Sequence, residues 1–352
     1  MSGERKRVLL LVALGLAGTV AVVLLIGQAA HYAELLKQLR SATPGWLVLC
    51  AAGETLAYGG FVISYQAMAA VSGGPRLRAP IVVRVVALSF GAFSVATAAG
   101  GLSVDFWALR EAGEPAGRAS ARVIALETLR WAVLALATCA AGIVVLLGVG
   151  HHVTWIVPVA WLVVTALCFA GGLAVSAARR RDRFTMTSGG RLRRALGIAV
   201  AALVYIRQLI SGPRDLRLRA VGGAALFWAG ELLSAWAALR AFGVHVALAP
   251  LLVGYTTGYV ATGLPLPVGG AGGVDAALTG GFVLAGAPLG SALLGAVAFR
   301  VFSFWIPALG ALLSVATMRG LRERLREVAE ARREGLSARV SEPPAAGSPP
   351  PG

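Results

Sequence analysis

Five ionisable side chains sit inside long apolar stretches of this chain: Glu54, Glu127, Arg130, Glu231 and Arg300. A charged group at the centre of a membrane helix costs about 2.5 to 3.5 kcal/mol or more unless it is paired or solvated, so each needs a partner or water. Glu231 and Arg300 each fall about ten residues into an apolar run, which at ~1.5 Å per residue puts both roughly 15 Å deep. Two roles fit such a set: structural ion pairs that pin helices together, or a polar path for a charged headgroup. The spacing alone leaves both open.

Two more acids, Asp105 and Asp275, follow glycine-rich turns. Laying residue n on residue n+170 without a gap puts Gly100 on Gly270, Val104-Asp105 on Val274-Asp275 and Arg130 on Arg300, so an Asp and an Arg 25 residues apart recur in each half. The run Gly269-Gly270-Ala271-Gly272-Gly273 lacks the Lys-Ser/Thr of a P-loop and the strand context of a dinucleotide fold, so no nucleotide or other cofactor is expected. Its backbone N–H groups suit a lipid phosphate. There is no Ser-His-Asp, zinc or kinase signature, and His31, His151, His152 and His245 have neither helical spacing nor a carboxylate cluster. No catalytic residue, no metal and no enzymatic activity are expected. Cys50, Cys139 and Cys168 all fall in apolar runs and read as packing.

The elements that must position these groups are membrane helices. Of the 352 residues 57% are hydrophobic and 14% charged, against roughly 25% charged in a soluble domain. Apolar runs at 8–27, 46–71, 123–149, 153–177, 221–239 and 290–317 each reach the ~20 residues that a bilayer crossing needs. The net charge of +16 resides in the links between runs rather than among exposed aromatics, which argues for positive-inside bias and against a nucleic-acid partner. The Arg179–Arg219 link carries eleven arginines against Asp182 and Asp215 and belongs in the cytoplasm, with Arg5-Lys6-Arg7 and the Arg319–Arg333 tail. Within it, Ala195–Ile206 is too short to span and reads as a helix in the cytoplasmic interface.

Counting crossings from the cytoplasmic ends leaves two apolar stretches that begin and end on one side: 81–104, bending near Gly100-Gly101, and 248–287, interrupted by Pro265, Pro267, Gly269, Gly270, Gly272 and Gly273. Irregular backbone at membrane depth is tolerated only beside protein or a water-filled cavity. The expected fold is therefore an all-α polytopic bundle with six full spans and two re-entrant hairpins that enter from opposite faces. That is the pattern of an inverted-topology repeat, which places a substrate between broken segments near the midplane. The transmembrane domain is expected over 1–320, including the arginine-rich link at 178–220, and 321–352 as a charged cytoplasmic helix with a Pro-rich disordered tail.

The segment Leu266-Pro267-Val268-Gly269-Gly270-Ala271-Gly272-Gly273-Val274-Asp275-Ala276-Ala277-Leu278, followed by Phe299-Arg300 and Ser303-Phe304-Trp305-Ile306-Pro307, resembles the flippase-like transmembrane domain of the lysylphosphatidylglycerol synthase family. That pattern has a Pro-Gly-Gly-x-Gly turn, an acidic residue, and later an Arg before an aromatic, Pro-containing stretch. Asp275 stands where the family usually has Glu. A looser match covers 90–131, through Gly100, Gly101, Asp105, Glu127 and Arg130. The resemblance implies the lipid-translocating part without the soluble aminoacyl-transferring domain.

It further implies a multi-pass protein of a bacterial-type plasma membrane, with both termini cytoplasmic, that moves a phospholipid or polyprenyl-phosphate lipid between leaflets. Arg130 and Arg300 would attract the phosphate. Asp105, Asp275, Glu54, Glu127 and Glu231 would balance those arginines or accept a cationic headgroup, and Gly269, Gly270, Gly272 and Gly273 would approach the phosphate through backbone. The alternative is a non-transporting membrane scaffold for a lipid-modifying or glycan-assembling enzyme, docked through the arginine-rich link.

Overall fold

The computed structural model describes residues 42–149, 153–176, 191–264, 272–309 and 318–341, with a few isolated positions before residue 42. The expected span at 8–27 lies almost entirely outside the described residues, as do 177–190 of the arginine-rich link, Gly269, Gly270, and the tail from 342.

Among the described residues the secondary structure is helical and no strand occurs. The α-helices are α1 (Pro44–Ala70), α2 (Ala79–Glu111), α3 (Ala116–Leu146), α4 (Ile156–Ser176), α5 (Arg191–Ser211), α6 (Arg214–Ala241), α7 (Leu248–Tyr259), α8 (Gly273–Leu284), α9 (Leu289–Arg300) and α10 (Met318–Ser341). Proline marks the starts: it occupies the first turn of α1 and α2, where its missing N–H costs nothing, and Pro115, Pro213 and Pro288 are the N-cap residues of α3, α6 and α9. Among the described residues, five helices are long and apolar enough to cross a bilayer: Pro44–Gly73, Ala116–Leu146, Ile156–Ala174, Arg214–Ala241 and Leu289–Leu309. They coincide with five of the six expected spans. The helices of α3 and α6 begin before their apolar runs, because Arg118, Arg122, Arg214 and Arg217 continue the helix into the polar region.

The fold is centred on α1 and α6, which pack antiparallel through small residues. A Cβ on Gly53 would stand 2.8 Å from the Gly230 carbonyl oxygen, and one on Gly60 would stand 2.6 Å from that of Gly223. Without side chains at these points the backbones approach directly, the usual basis of close packing between membrane helices. Against this pair lie two hairpins. The first is α2 itself. Ser89 Oγ is 3.0 Å from the Gly101 carbonyl oxygen and 3.2 Å from Asp105 Oδ2. In a straight helix residues twelve apart are ~18 Å apart, so the segment reverses between Phe93 and Gly101. The reversal thus precedes the expected bend at Gly100-Gly101, and Gly101 lies on the returning arm against Ser89 and Phe93. The second hairpin is α7 with α8, whose backbones meet at Gly254 and Gly281 and again where Gly258 faces Ala277.

An offset of 170 residues carries the first set of elements onto the second in order. Residues 44–70 fall on 214–240, the site of α6; 79–93 fall on 249–263, the site of α7 and the short 3-10 turn Val260–Gly263; 101–111 fall on 271–281, within α8 apart from its preceding turn; and 116–146 fall on 286–316, which contains α9. The contact between Gly53 and Gly230 becomes, under the same offset, the contact between Gly223 and Gly60, and both are present.

The remaining elements buttress this frame. Helix α5, whose apolar part Gly197–Ser211 is shorter than a span, packs on α3 and α4. Helix α10 buries Leu321, Leu325 and Ala329 from one face against α2, and Arg322 and Arg326 clasp Glu111 at 2.7 and 3.0 Å.

Candidate functional site

Asp275 occupies the first turn of α8, where its Oδ2 accepts the Gly272 N–H at 2.9 Å. Gly272 has φ +85°, a backbone that favours glycine, and the carboxylate complements the positive end of the helix. Its Oδ1 accepts Arg300 Nε at 2.9 Å. Arg300 is the last residue of α9, just before a π-helical turn over Val301–Trp305, and its guanidinium lies 4.0 Å from the centre of the Phe304 ring. The acidic cap of one helix thus fixes the cation at the end of another.

Arg130 projects from the middle of α3. Its Nη1 donates to Glu127 Oε1 at 2.7 Å, and its guanidinium stands 4.4 Å from the Phe61 ring centre and 4.0 Å from that of Phe227. Trp228 Nε1 donates to the Arg130 carbonyl at 2.7 Å. Cation–π contact with two rings holds this arginine in an apolar surround. The sequence correspondence between Asp105–Arg130 and Asp275–Arg300 therefore does not extend to pairing: Arg130 bonds Glu127, and Asp105 Oδ2 takes the Ser89 hydroxyl instead.

These groups meet in one cavity of about 220 Å³ between the two hairpins. Of the residues expected to bind substrate, Asp105, Glu127, Arg130, Glu231 and Arg300 line it; Glu54, Asp275, Gly272 and Gly273 do not. Asp275 acts from behind through Arg300. Glu54 is buried away from the cavity, with Ser234 beside its carboxylate but no bond of good hydrogen-bonding geometry to either oxygen among the described residues. Gly269 and Gly270 lie outside the described residues.

The sequence reading missed the aromatic wall and the hydroxyls. Trp131, Trp228 and Tyr259 line the cavity, with Trp228 and Tyr259 edge to face at 5.3 Å and Tyr255 stacked on Tyr259 at 5.3 Å. Tyr255 donates its hydroxyl to Glu231 Oε2 at 2.6 Å. The one signal for this was a Tyr-x-x-x-Tyr spacing in α7, which places both rings on one helical face. Among the described residues no three His, Cys, Asp or Glu side chains gather as a metal site would need.

On the turn between α2 and α3, a second ionic cluster forms away from the cavity. Glu114 is bonded by Arg118 at 3.1 Å and Arg332 at 2.8 Å, with Arg122 at 3.6 Å. Burial pushes the Glu114 carboxyl up, but these arginines outweigh it and hold it below the ordinary glutamate range. Arg122 also bonds the Met68 carbonyl at 3.0 Å and presses on Gly74, where a Cβ would collide with the guanidinium.

Helices of bilayer length around a charged, aromatic-walled interior define a polytopic membrane protein with an internal polar site. The model of the lysylphosphatidylglycerol synthase TM region matches residues 10–311, and the chain belongs to that family. No curated protein matches it at a significant level.

Proposed function

We propose that this protein is a non-enzymatic lipid translocator, moving a phospholipid or polyprenyl-phosphate lipid between the leaflets of a bacterial-type plasma membrane, with both termini in the cytoplasm. The observation that carries the reading is the cavity, in which the guanidinium groups of Arg130 and Arg300 and the carboxylates of Asp105, Glu127 and Glu231 share one space of about 220 Å³. That exceeds the ~30 Å³ share of a single water many times over yet falls below the ~300 Å³ at which pockets begin to enclose a drug-sized ligand. Its size suits a headgroup whose acyl chains stay in lipid. The paired charges stay solvated or bonded until an anionic phosphate draws on the arginines, while the acids favour any cationic portion.

The symmetry of α1 and α6 supports an inverted-topology repeat. Two antiparallel helices whose contacts interchange under the 170-residue offset are related by a two-fold axis across the helices, so the halves cross the membrane in opposite senses. Both hairpins then enter as re-entrant segments from opposite faces and meet at the cavity, the arrangement that serves alternating access. With the span expected over 8–27, the spans number six. Lipids are the proposed partners, and no cofactor is required.

Native mass spectrometry of the protein released from membranes tests the site. Wild type is expected to retain phosphate-headgroup lipids, and Arg130→Ala to lose them while remaining folded. Equal retention by both would remove the cavity from lipid binding and favour the scaffold role.

A further inference from the structure

Glu54 and Glu231 follow directly on Gly53 and Gly230, the two glycines at one contact of the α1–α6 crossing, and both acids are buried. Glu231 reaches the cavity and accepts the Tyr255 hydroxyl. Glu54 lies behind it with the Ser234 hydroxyl beside its carboxylate, though not in good hydrogen-bonding geometry; Ser234 Oγ also meets Cys50 Sγ at 3.0 Å. The groups that face the two acids are Cys50 and Tyr58 from α1, Ser234 from α6, Tyr255 and Tyr259 from α7, Arg130 from α3 and Arg300 from α9. Among the described residues neither arginine is within ion-pairing distance of Glu54 or Glu231, and their bonded carboxylates are Glu127 and Asp275.

Packing does not call for acids here. Under the 170-residue offset, Glu54 corresponds to Ala224 and Glu231 to Phe61. The fold therefore builds the equivalent contact, between Gly60 and Gly223, with an alanine and a phenylalanine in the same positions. Two neighbouring carboxylates in a low-dielectric interior do not both carry charge, because desolvation and mutual repulsion act together. A protonated Glu54 has one O–H to donate and oxygens that accept, with the Ser234 hydroxyl beside it; next to Glu231, which contacts the cavity, that is the arrangement of a proton site.

We propose that Glu54 and Glu231 form a proton-binding site at the α1–α6 crossing, loaded from water in the cavity through Glu231. Resting on the lipid-translocation reading, this proton is the ion that moves with the lipid. The chemistry is a simple acid–base step: a proton from cavity water forms the carboxyl O–H and is later returned to water on the other side, with no bond made to the lipid. The Tyr255 hydroxyl holds Glu231 in place, and the Tyr255 ring stacks on Tyr259 of the cavity wall.

Two measurements on the full-length protein in bilayers test the proposal separately. Infrared titration reads the carboxylic-acid C=O band of membrane-embedded acids. A component present in wild type is expected to vanish in Glu54→Gln and in Glu54→Ala, which reproduces the alanine of the symmetry-related contact, and to persist in Glu127→Gln. An unchanged band in both Glu54 variants overturns the proton site. The second measurement follows headgroup-labelled phosphatidylglycerol in proteoliposomes under an imposed pH difference. One proton per lipid drives a leaflet ratio of about tenfold per pH unit, and Glu54→Gln is expected to abolish that dependence. Exchange in wild type that ignores the gradient overturns coupling and leaves translocation standing. Absence of any exchange overturns translocation, and the infrared result then decides the proton site by itself.

Discussion

Arg300 donates to Asp275 at 2.9 Å, whereas Arg130, its counterpart 170 residues earlier, turns from Asp105 to bond Glu127 at 2.7 Å. One cation is held by a helix cap and the other by a neighbour on its own helix, so the two halves present similar charges through different supports. Removing one partner of a buried pair strands the other and typically costs about 3 to 5 kcal/mol. Arg300→Ala and Asp275→Ala are each expected to lower thermal stability in detergent, and the exchange Asp275→Arg with Arg300→Asp to recover part of it without restoring transport. A double-mutant cycle checks the pairing; independent effects at the two positions would refute it.

Close backbone approach at the α1–α6 crossing makes the size of Gly230 decisive. A Cβ there would stand 2.5 Å from both the Ala57 nitrogen and the Gly53 oxygen, while Gly222, eight residues away on the same helix, has open space. Gly230→Val is expected to destabilise by about 1 to 3 kcal/mol or more through overpacking, and Gly222→Ala to cost little. Melting curves of the two purified variants make the comparison; equal behaviour would mean that the helices do not meet there.

The cluster around Glu114 ties the α2–α3 turn to α10 and carries a pH signature. The Glu114 carboxyl, and Glu111 beside it, are held below the ordinary range in the folded protein because their arginine partners outweigh burial. A depressed carboxyl stabilises the fold above its unfolded pKa, and that contribution is lost as pH falls through the folded value. Stability is therefore expected to decline in the acid range below the ordinary glutamate pKa, and Glu114→Gln to flatten the decline. Melting temperature against pH for both proteins gives the answer; parallel curves would exclude Glu114.

Topology is open to chemical labelling. Leu147, at the end of α3, is 80% exposed, and Glu323 lies on the outer face of α10. In a background with Cys50, Cys139 and Cys168 replaced, a cysteine at position 147 is expected to react with an impermeant maleimide from outside intact cells, and one at 323 only after the cytoplasm is opened. Labelling of both from one side would contradict the crossing count.

Much of this architecture was legible because membrane burial leaves a coarse trace. Runs of about 20 apolar residues marked five spans, with α3 and α6 starting seven residues before theirs, and Asp275 was recognisable among the acids that balance Arg300 because each is an isolated charge in an apolar setting. The place where α2 reverses was not legible: glycines at 100 and 101 drew the expected bend forward, whereas the structure uses Gly101 for close packing against Ser89. Which of several candidate acids pairs with Arg130 was not legible for a related reason. A correspondence of residue types says which groups recur, but Phe61 and Phe227 hold the guanidinium from elements distant in sequence. The aromatic wall gave almost no sequence signal, since Trp and Tyr in apolar runs read equally well as interfacial anchors.

Leaflet exchange by the purified protein tests the central claim most directly. In liposomes holding headgroup-labelled phosphatidylglycerol and a polyprenyl phosphate, an impermeant quencher added outside reports the label that moves outward. Wild type is expected to raise exchange of a phosphate lipid well above that of protein-free vesicles, and Arg130→Ala to lower it by about tenfold or more, corresponding to the loss of a ~1.4 kcal/mol or larger interaction. Wild-type exchange no faster than in protein-free vesicles, across both lipids, would contradict the account.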